Sequence, residues 1–476
     1  MPSKKLLTLL GVFSGSDISR FKKYLCSPFF NENEDLIKLF DLLEKQKSSA
    51  AKEKLWQALF GEKSYNDGYM RRLLSDLIQL ALDFLSLKAS QKEGRRAQIA
   101  LLSTLSELKL DTHFAGVLRQ MEAAAQQSTF RDSAFYFWQY EIEHLQHQRM
   151  ERSGYKLENL SNLENADHFL DCYYIIQKLR HCCDVLEYRN FFSLDIQVEL
   201  LPGFITWFSQ RKYLKEPGIA VYFDIYQMLS HQDGAFYYYK LKTFLEQHSH
   251  YFTDEELRSL YVHLINYCIY KKINIGDISF FKELFDVFKT LIQKEILLRS
   301  GVLDPQYYKT IISVGIQIKE FDWVEHFIQS YTAKLPPEEQ ENALAYNLAK
   351  LYFQQKRYHQ VITQLREVEY QNVTYALGAK LMLLKTYYAL NEYLALDSLI
   401  DSFRIYLHRN KTISKEVRQQ YMNVLRFIKK LANITPGDRS AVEKISLQID
   451  ACKNLADKSW ILEKVAALKG DKETGQ

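Results

Sequence analysis

Two long stretches of this chain contain no proline. One runs from Phe29 to Leu201 and the other from Glu338 to Thr435. Glycine and proline together supply only 25 of the 476 residues, whereas the same two residues make up roughly 12% of an average protein. Sheets joined by many tight turns need glycine and proline, because these residues set the geometry of turns. The sequence therefore argues against sandwiches, barrels and propellers.

Apolar residues recur at helical spacing between the prolines. Leu73, Leu77 and Leu80 follow the i, i+4, i+7 pattern of one helix face. Capping signals mark helix starts: Thr253 is followed three residues later by a glutamate, and Asp304 precedes a proline. No segment alternates convincingly with a period of two. The sequence predicts an all-α fold of twenty or more helices.

Changes in helix length and composition divide the chain into three predicted regions. Residues 1–90 form an N-terminal helical region that ends in a long helix. Residues 91–216 form a middle region of long helices rich in glutamine and aromatic side chains. Residues 217–476 form a region of paired helices of similar length.

An internal repeat is the most informative pattern in the third region. Trp323, Tyr358 and Tyr393 are spaced 35 residues apart, and each follows a short polar segment. Tyr352 and Tyr387 lie six residues before the last two of these aromatic residues. A spacing of 35 residues fits one helix pair with its two turns. We therefore expect three antiparallel helix pairs over residues 305–408, with the three aromatic residues early in the second helices.

The segments Ala345–Leu365 and Lys380–Ile400 resemble tetratricopeptide-type repeats, and the resemblance covers about residues 305–410. It implies a right-handed α-solenoid-like array of helix pairs that follows the N-terminal helical region. The turn glycine of the family is replaced here by Phe321, Lys356 and Asn391. The N-terminal segments 21–31 and 65–75 resemble uncharacterised bacterial helical proteins, a likeness that implies no activity.

The resemblance also implies a binding surface. In a stack of this type, one stripe of each first helix lines a concave groove. The stripe contains Tyr346, Lys350 and Phe353 in one repeat, and Lys385 and Tyr388 in the next. Aromatic rings beside lysines suit a peptide with an acidic side chain. We expect both lysines to be accessible to solvent. In the alternative interpretation, Tyr346 and Phe353 pack against the adjacent repeat.

Catalytic and metal-binding patterns are weak. The chain contains no G-x-x-x-x-G-K-[ST], G-x-G-x-x-G or G-x-S-x-G segment. Glu141 and His144 form the only Glu-x-x-His unit, whereas a helical di-iron site needs two. His168 and Cys172 share a helix face and could contact one metal ion, but a buried cysteine beside a histidine is an ordinary core feature. We therefore predict no metal, no cofactor and no enzymatic activity.

The six cysteines follow no C-x-x-C pattern, which suits reduced thiols and predicts a cytoplasmic protein. A weaker alternative is secretion, because Lys4–Phe13 faintly resembles a signal peptide. The longest stretch without a charged residue, Ser259–Tyr270, has 12 residues, whereas a spanning helix needs about 20. No membrane partner is therefore expected.

Nucleic acid is the alternative partner. The formal net charge is only +4, too small an excess to indicate a nucleic-acid-binding chain as a whole. Cations are nevertheless concentrated in the first part of the sequence. They are Arg20, Lys22, Lys23, Arg71, Arg72, Arg95 and Arg96.

The sequence thus predicts a non-enzymatic helical-repeat scaffold or adaptor that binds a protein or peptide through a concave groove. The first alternative is a nucleic-acid-associated regulator with a basic N-terminal helical head. A helical hydrolase, with a site assembled from distant residues, is the second.

Overall fold

The computed structural model describes residues 4–46, 52–92, 94–152, 161–192, 196, 203–210, 212–231, 234–366, 373–435 and 438–470. Within these ranges the protein is all-α, as predicted, with twenty-three α-helices. The only strands there are β1 (Leu298–Arg299) and β2 (Val302–Leu303), which pair in an antiparallel hairpin. Contacts divide the chain into two compact units. One comprises Met1–His181 and Leu200–Tyr222, and the other Cys182–Glu199 and Phe223–Gln476.

The first unit begins with a small helical head, residues 4–92, whose core is rich in buried aromatic side chains. Phe21 is fully buried, with Phe40 and Phe84 at 5.1 and 5.3 Å between ring centroids. The helices that begin in the first unit are α1 (Lys4–Gly11), α2 (Gly15–Leu25), α3 (Glu34–Gln46), α4 (Lys52–Phe60), α5 (Asp67–Lys92), α6 (Gly94–Glu107), α7 (Asp111–Gln127), α8 (Ser133–Arg152), α9 (Ser161–Phe192), α10 (Phe204–Ser209) and α11 (Pro217–Ser230).

The second unit contains the predicted repeats. Its helices from α12 onwards are α12 (Gly234–His248), α13 (Asp254–Asn266), α14 (Phe280–Gln293), α15 (Pro305–Gln317), α16 (Phe321–Tyr331), α17 (Pro337–Gln354), α18 (Tyr358–Arg366), α19 (Val373–Ala389), α20 (Tyr393–Arg409), α21 (Lys415–Ala432), α22 (Arg439–Asp450) and α23 (Lys458–Gly470). A six-residue π-helical segment, Tyr267–Lys272, follows α13.

Capping residues start helices where the sequence indicates. The Thr253 hydroxyl accepts a hydrogen bond from the backbone N–H of Glu256 at the start of α13. The Asp304 carboxylate accepts one from the backbone N–H of Gln306 at the start of α15. Each bond satisfies an N–H group that has no partner within the helix.

The expected six helices over residues 305–408 are confirmed as α15 to α20, and Trp323, Tyr358 and Tyr393 all lie early in the second helix of a pair. Each helix packs against the next one along the chain. In addition, α15 packs against α17, and α17 packs against α19. The first helices of the three pairs therefore lie side by side.

The same turn joins the two helices of each pair. Lys319, Lys356 and Asn391 each lie two residues beyond a helix end with a positive φ, at 65°, 60° and 57°. In each turn this residue donates its N–H to the carbonyl three residues before it. The next residue donates to the carbonyl five residues before itself. This is the Schellman motif, which usually carries glycine at the left-handed position.

The positions of the turns show that the predicted register of the first repeat is wrong by two residues. Trp323 is the third residue of α16, whereas Tyr358 and Tyr393 are the first residues of α18 and α20. The residue at the family's turn position is Lys319, and Phe321 already belongs to α16. The first pair is therefore offset by two residues from the 35-residue spacing, because the turn and not the aromatic residue marks the equivalent position.

Candidate functional site

The turns define equivalent positions on α15, α17 and α19. Ser313, Lys350 and Lys385 lie six residues before the left-handed residue of each turn. The ammonium of Lys350 donates a hydrogen bond of 2.7 Å to the Ser313 hydroxyl. The ammonium of Lys385 lies 5.9 Å from the centre of the Phe353 ring. These contacts join the three first helices along one side. We call this side, which carries Ser313, Lys350, Phe353, Lys385 and Tyr388, the lysine face.

Tyr346 marks the edge of the lysine face where α17 meets α19. Its ring packs edge-on against Tyr375, with 5.3 Å between ring centroids. It also lies over Gly378 of α19, where a Cβ atom would come within 2.6 Å of the Tyr346 hydroxyl. The absence of a side chain at Gly378 lets this ring fit between the helices. Tyr346 therefore packs against the adjacent repeat, as the alternative interpretation of the sequence expected.

Lys350 is partly buried in the middle of the lysine face. Burial lowers the pKa of its ammonium below the usual value of 10.5. Its hydrogen-bond partner, Ser313, is uncharged. In the part of the chain that the structure describes, no carboxylate forms an ion pair with Lys350. Lys350 is thus a partly desolvated cation that no carboxylate of the described residues neutralises.

Lys385, the equivalent residue on α19, has such an anion. It forms an ion pair with Asp457, and its side chain is only 14% exposed. Its ammonium also lies 5.3 Å from the centre of the Trp460 ring. Burial lowers the pKa of Lys385 to about 8, and the negative charge of Glu463 opposes that shift. The expectation that Lys385 is open to solvent is wrong, because the C-terminal segment covers it.

Tyr388 contacts the same segment. Its ring packs edge-on against Trp460, with 5.6 Å between ring centroids. Phe353 on α17 lies three residues before its turn, as Tyr388 does, and both side chains are partly exposed. The Phe353 ring packs against Tyr358, with 5.7 Å between ring centroids. The structure thus brings all five predicted residues to adjoining helices. Whether they bind a partner stays a prediction.

Asp457 and Trp460 were not among the residues predicted from the sequence. The segment that carries them is held by Asn423, which donates a hydrogen bond of 2.7 Å to the backbone oxygen of Asn454. Ile461 and Val465 anchor α23, since both are buried in the core of the second unit. No repeat spacing relates Trp460 to Lys385. The only signal in the sequence is a tryptophan three residues after an acidic residue at a helix start.

A cavity adjoins the other end of the lysine face. It has a volume of about 330 Å³ and lies on α15, with Ser313 in its wall beside Thr310 and Lys309. The ammonium of Lys309 lies 4.4 Å from the centre of the Tyr375 ring. Lys309 therefore lines the cavity, and Lys350 hydrogen-bonds to Ser313 in its wall.

His168 and Cys172, the candidate metal ligands, lie close together in the first unit. The Cys172 sulfur is 3.7 Å from Nε2 of His168. Burial raises the pKa of the Cys172 thiol, which disfavours a thiolate ligand or nucleophile. Among the described residues, no group of three or more histidine, cysteine or acidic side chains is placed to hold a metal ion. None of the six cysteines forms a disulfide.

The cations of the N-terminal head are interspersed with carboxylates. Arg71 forms an ion pair of 2.5 Å with Asp67, and Lys22 forms one of 2.7 Å with Asp41. Pairs of this kind reduce the positive potential that phosphates require. The geometry of the head therefore gives no particular support to a nucleic-acid interface.

A scan against protein-family models finds no matching family, and searches of the curated proteins and of the solved structures find no match. Across the described residues, every helix is too short or too polar to cross a lipid bilayer.

Proposed function

We propose that this chain is a non-enzymatic adaptor. In this proposal, residues 305–409 form a tetratricopeptide-like α-solenoid, and the lysine face binds an acidic segment of a protein partner. The observation that carries the proposal is the difference between Lys350 and Lys385. Lys385 has a carboxylate partner from its own chain, whereas no carboxylate among the described residues pairs with Lys350.

The repeated architecture supports the solenoid. Three first helices lie side by side, and three identical turns join them to their second helices. Arrays of this kind offer an extended surface to partners, because each repeat contributes equivalent residues to the same side.

The environment of Lys350 supports an acidic ligand. Moving an ammonium away from water is costly unless a charged or strongly hydrogen-bonding partner replaces the water. The Ser313 hydroxyl replaces only part of the water that an exposed ammonium would bind. A carboxylate from a partner would complete the coordination of Lys350 as Asp457 completes that of Lys385.

A peptide selection tests the proposal. Short random peptides displayed on phage are selected on the full chain, and the affinities of the enriched peptides are measured by fluorescence anisotropy. We expect enrichment of Asp and Glu. Lys350→Glu should weaken binding by about tenfold or more, because a charged hydrogen bond contributes roughly 1.5–3 kcal/mol.

Lys444→Glu is the matched control, since Lys444 is an exposed lysine on α22. It should leave both the affinity and the melting temperature unchanged. Binding should also weaken as the pH rises through the lowered pKa of Lys350, before the usual lysine value of 10.5 is reached, because neutral Lys350 no longer attracts a carboxylate. Equal losses in the two glutamate variants would contradict the proposal.

A further inference from the structure

We infer that the partner segment carries a carboxylate and, three residues later, an aromatic ring. We further infer that this segment binds Lys350 and Phe353 as the chain's own Asp457 and Trp460 bind Lys385 and Tyr388. The inference rests on the proposed function and specifies the chemistry of the ligand.

The two receiving pairs are equivalent by position. Lys350 and Phe353 are three residues apart on α17, and Lys385 and Tyr388 are three residues apart on α19. Each pair precedes the same turn by the same number of residues. Residues three apart on a helix share a face and are separated by about 4.5 Å along its axis. Each helix therefore presents an ammonium and an aromatic ring in the same arrangement.

The segment bound at α19 shows what this arrangement accepts. The Asp457 carboxylate contacts the Lys385 ammonium. Trp460 places its ring edge-on to Tyr388 at an interplanar angle of 77°. The Lys385 ammonium also lies over the indole ring, so that one lysine contacts both ligand groups. Asp457 and Trp460 are themselves three residues apart, which matches the spacing of the residues that receive them.

The pair on α17 has both receiving groups, and no carboxylate among the described residues pairs with it; the Lys385 ammonium lies 5.9 Å from the centre of the Phe353 ring. Lys350 has its contact with the Ser313 hydroxyl, and the Phe353 ring stays partly exposed. The chain's own segment is committed to α19, because Ile461 and Val465 of α23 are buried in the core. A segment from another protein would therefore meet an ammonium and a ring spaced as in the pair that receives Asp457 and Trp460 on α19.

A peptide with the chain's own sequence from Asn454 to Lys469 serves as the probe. It is labelled and titrated into the full chain, beside two peptides that carry Asp457→Asn or Trp460→Ala. We expect the unaltered peptide to bind and each altered peptide to bind about tenfold more weakly, the loss typical of an anchor residue. In the protein, Lys350→Gln and Phe353→Leu should each cause a comparable loss. Lys444→Gln should cause none.

The outcomes separate this inference from the proposed function. Suppose that acidic peptides bind in a Lys350-dependent way but the Trp460→Ala peptide binds as well as the unaltered one. The aromatic requirement is then refuted while the adaptor function stands. A peptide whose binding depends on Lys385 and not on Lys350 would also overturn the inference, because it would have replaced the chain's own segment. If no acidic peptide depends on Lys350, the proposed function fails as well.

Discussion

Two neighbouring positions of the lysine face carry the same chemistry in different surroundings. On α19, Asp457 and Trp460 contact Lys385 and Tyr388. On α17, the equivalent Lys350 has a hydroxyl partner, and the Phe353 ring packs against Tyr358. Equivalent positions in a repeat therefore need not have equivalent roles. One pair contacts the C-terminal helices, and the other is the pair that we propose binds a ligand.

Truncation of the aromatic side chains should distinguish the α17 and α19 positions most strongly. Trp460→Ala should lower the free energy of unfolding by ~3–5 kcal/mol, since it removes a large side chain from the core. Phe353→Ala should cost only ~1–2 kcal/mol, because its ring loses less buried area. Urea unfolding of both variants measures the difference. Equal losses would mean that Phe353 is as much a core residue as Trp460, which would weaken its assignment to a ligand site.

Removal of the two ammonium groups sharpens the comparison. Lys385→Met should lower the free energy of unfolding by ~1–3 kcal/mol, because Asp457 then lacks its partner. Lys350→Met should change it by less than about 0.5 kcal/mol, because only a hydroxyl loses a partner and a partly buried charge disappears.

Asp457→Asn provides the control for this comparison. It should reduce the effect of Lys385→Met in a double-mutant cycle and leave the effect of Lys350→Met unchanged. A large loss of stability for Lys350→Met would show that Lys350 has a structural role and needs no external anion.

The smallest expected effect tests the equivalence of the turns. Lys356→Gly should stabilise the chain by ~0.5–1 kcal/mol, since glycine adopts the left-handed conformation without the steric cost that lysine bears. Asn391→Gly should stabilise it less, because asparagine tolerates this conformation better than lysine does. Thermal unfolding compares the two variants. Destabilisation by Lys356→Gly would contradict the assignment of this turn.

Much of the repeat region could be predicted from the sequence. The apolar periodicity and the capping residues depend on neighbours within one or two helical turns, so they identify helices such as α13 and α15 directly. The 35-residue spacing placed α17 to α20 correctly. The same spacing places Trp323 two residues out of register with Tyr358 and Tyr393. The equivalent positions are the left-handed residues of the Schellman turns, and in the first pair that residue is Lys319.

The sequence by itself determined which residues face the same side of α17 and α19, because helical spacing and the repeat period are local properties of the chain. Only the tertiary structure decided which of the two lysines pairs with Asp457. The Asp457 carboxylate lies 72 residues after Lys385, and no repeat spacing predicts their contact. Its position depends on the burial of Ile461 and Val465 and on the hydrogen bond from Asn423. These are non-local packing interactions, and they distinguish two sites that look alike in the sequence.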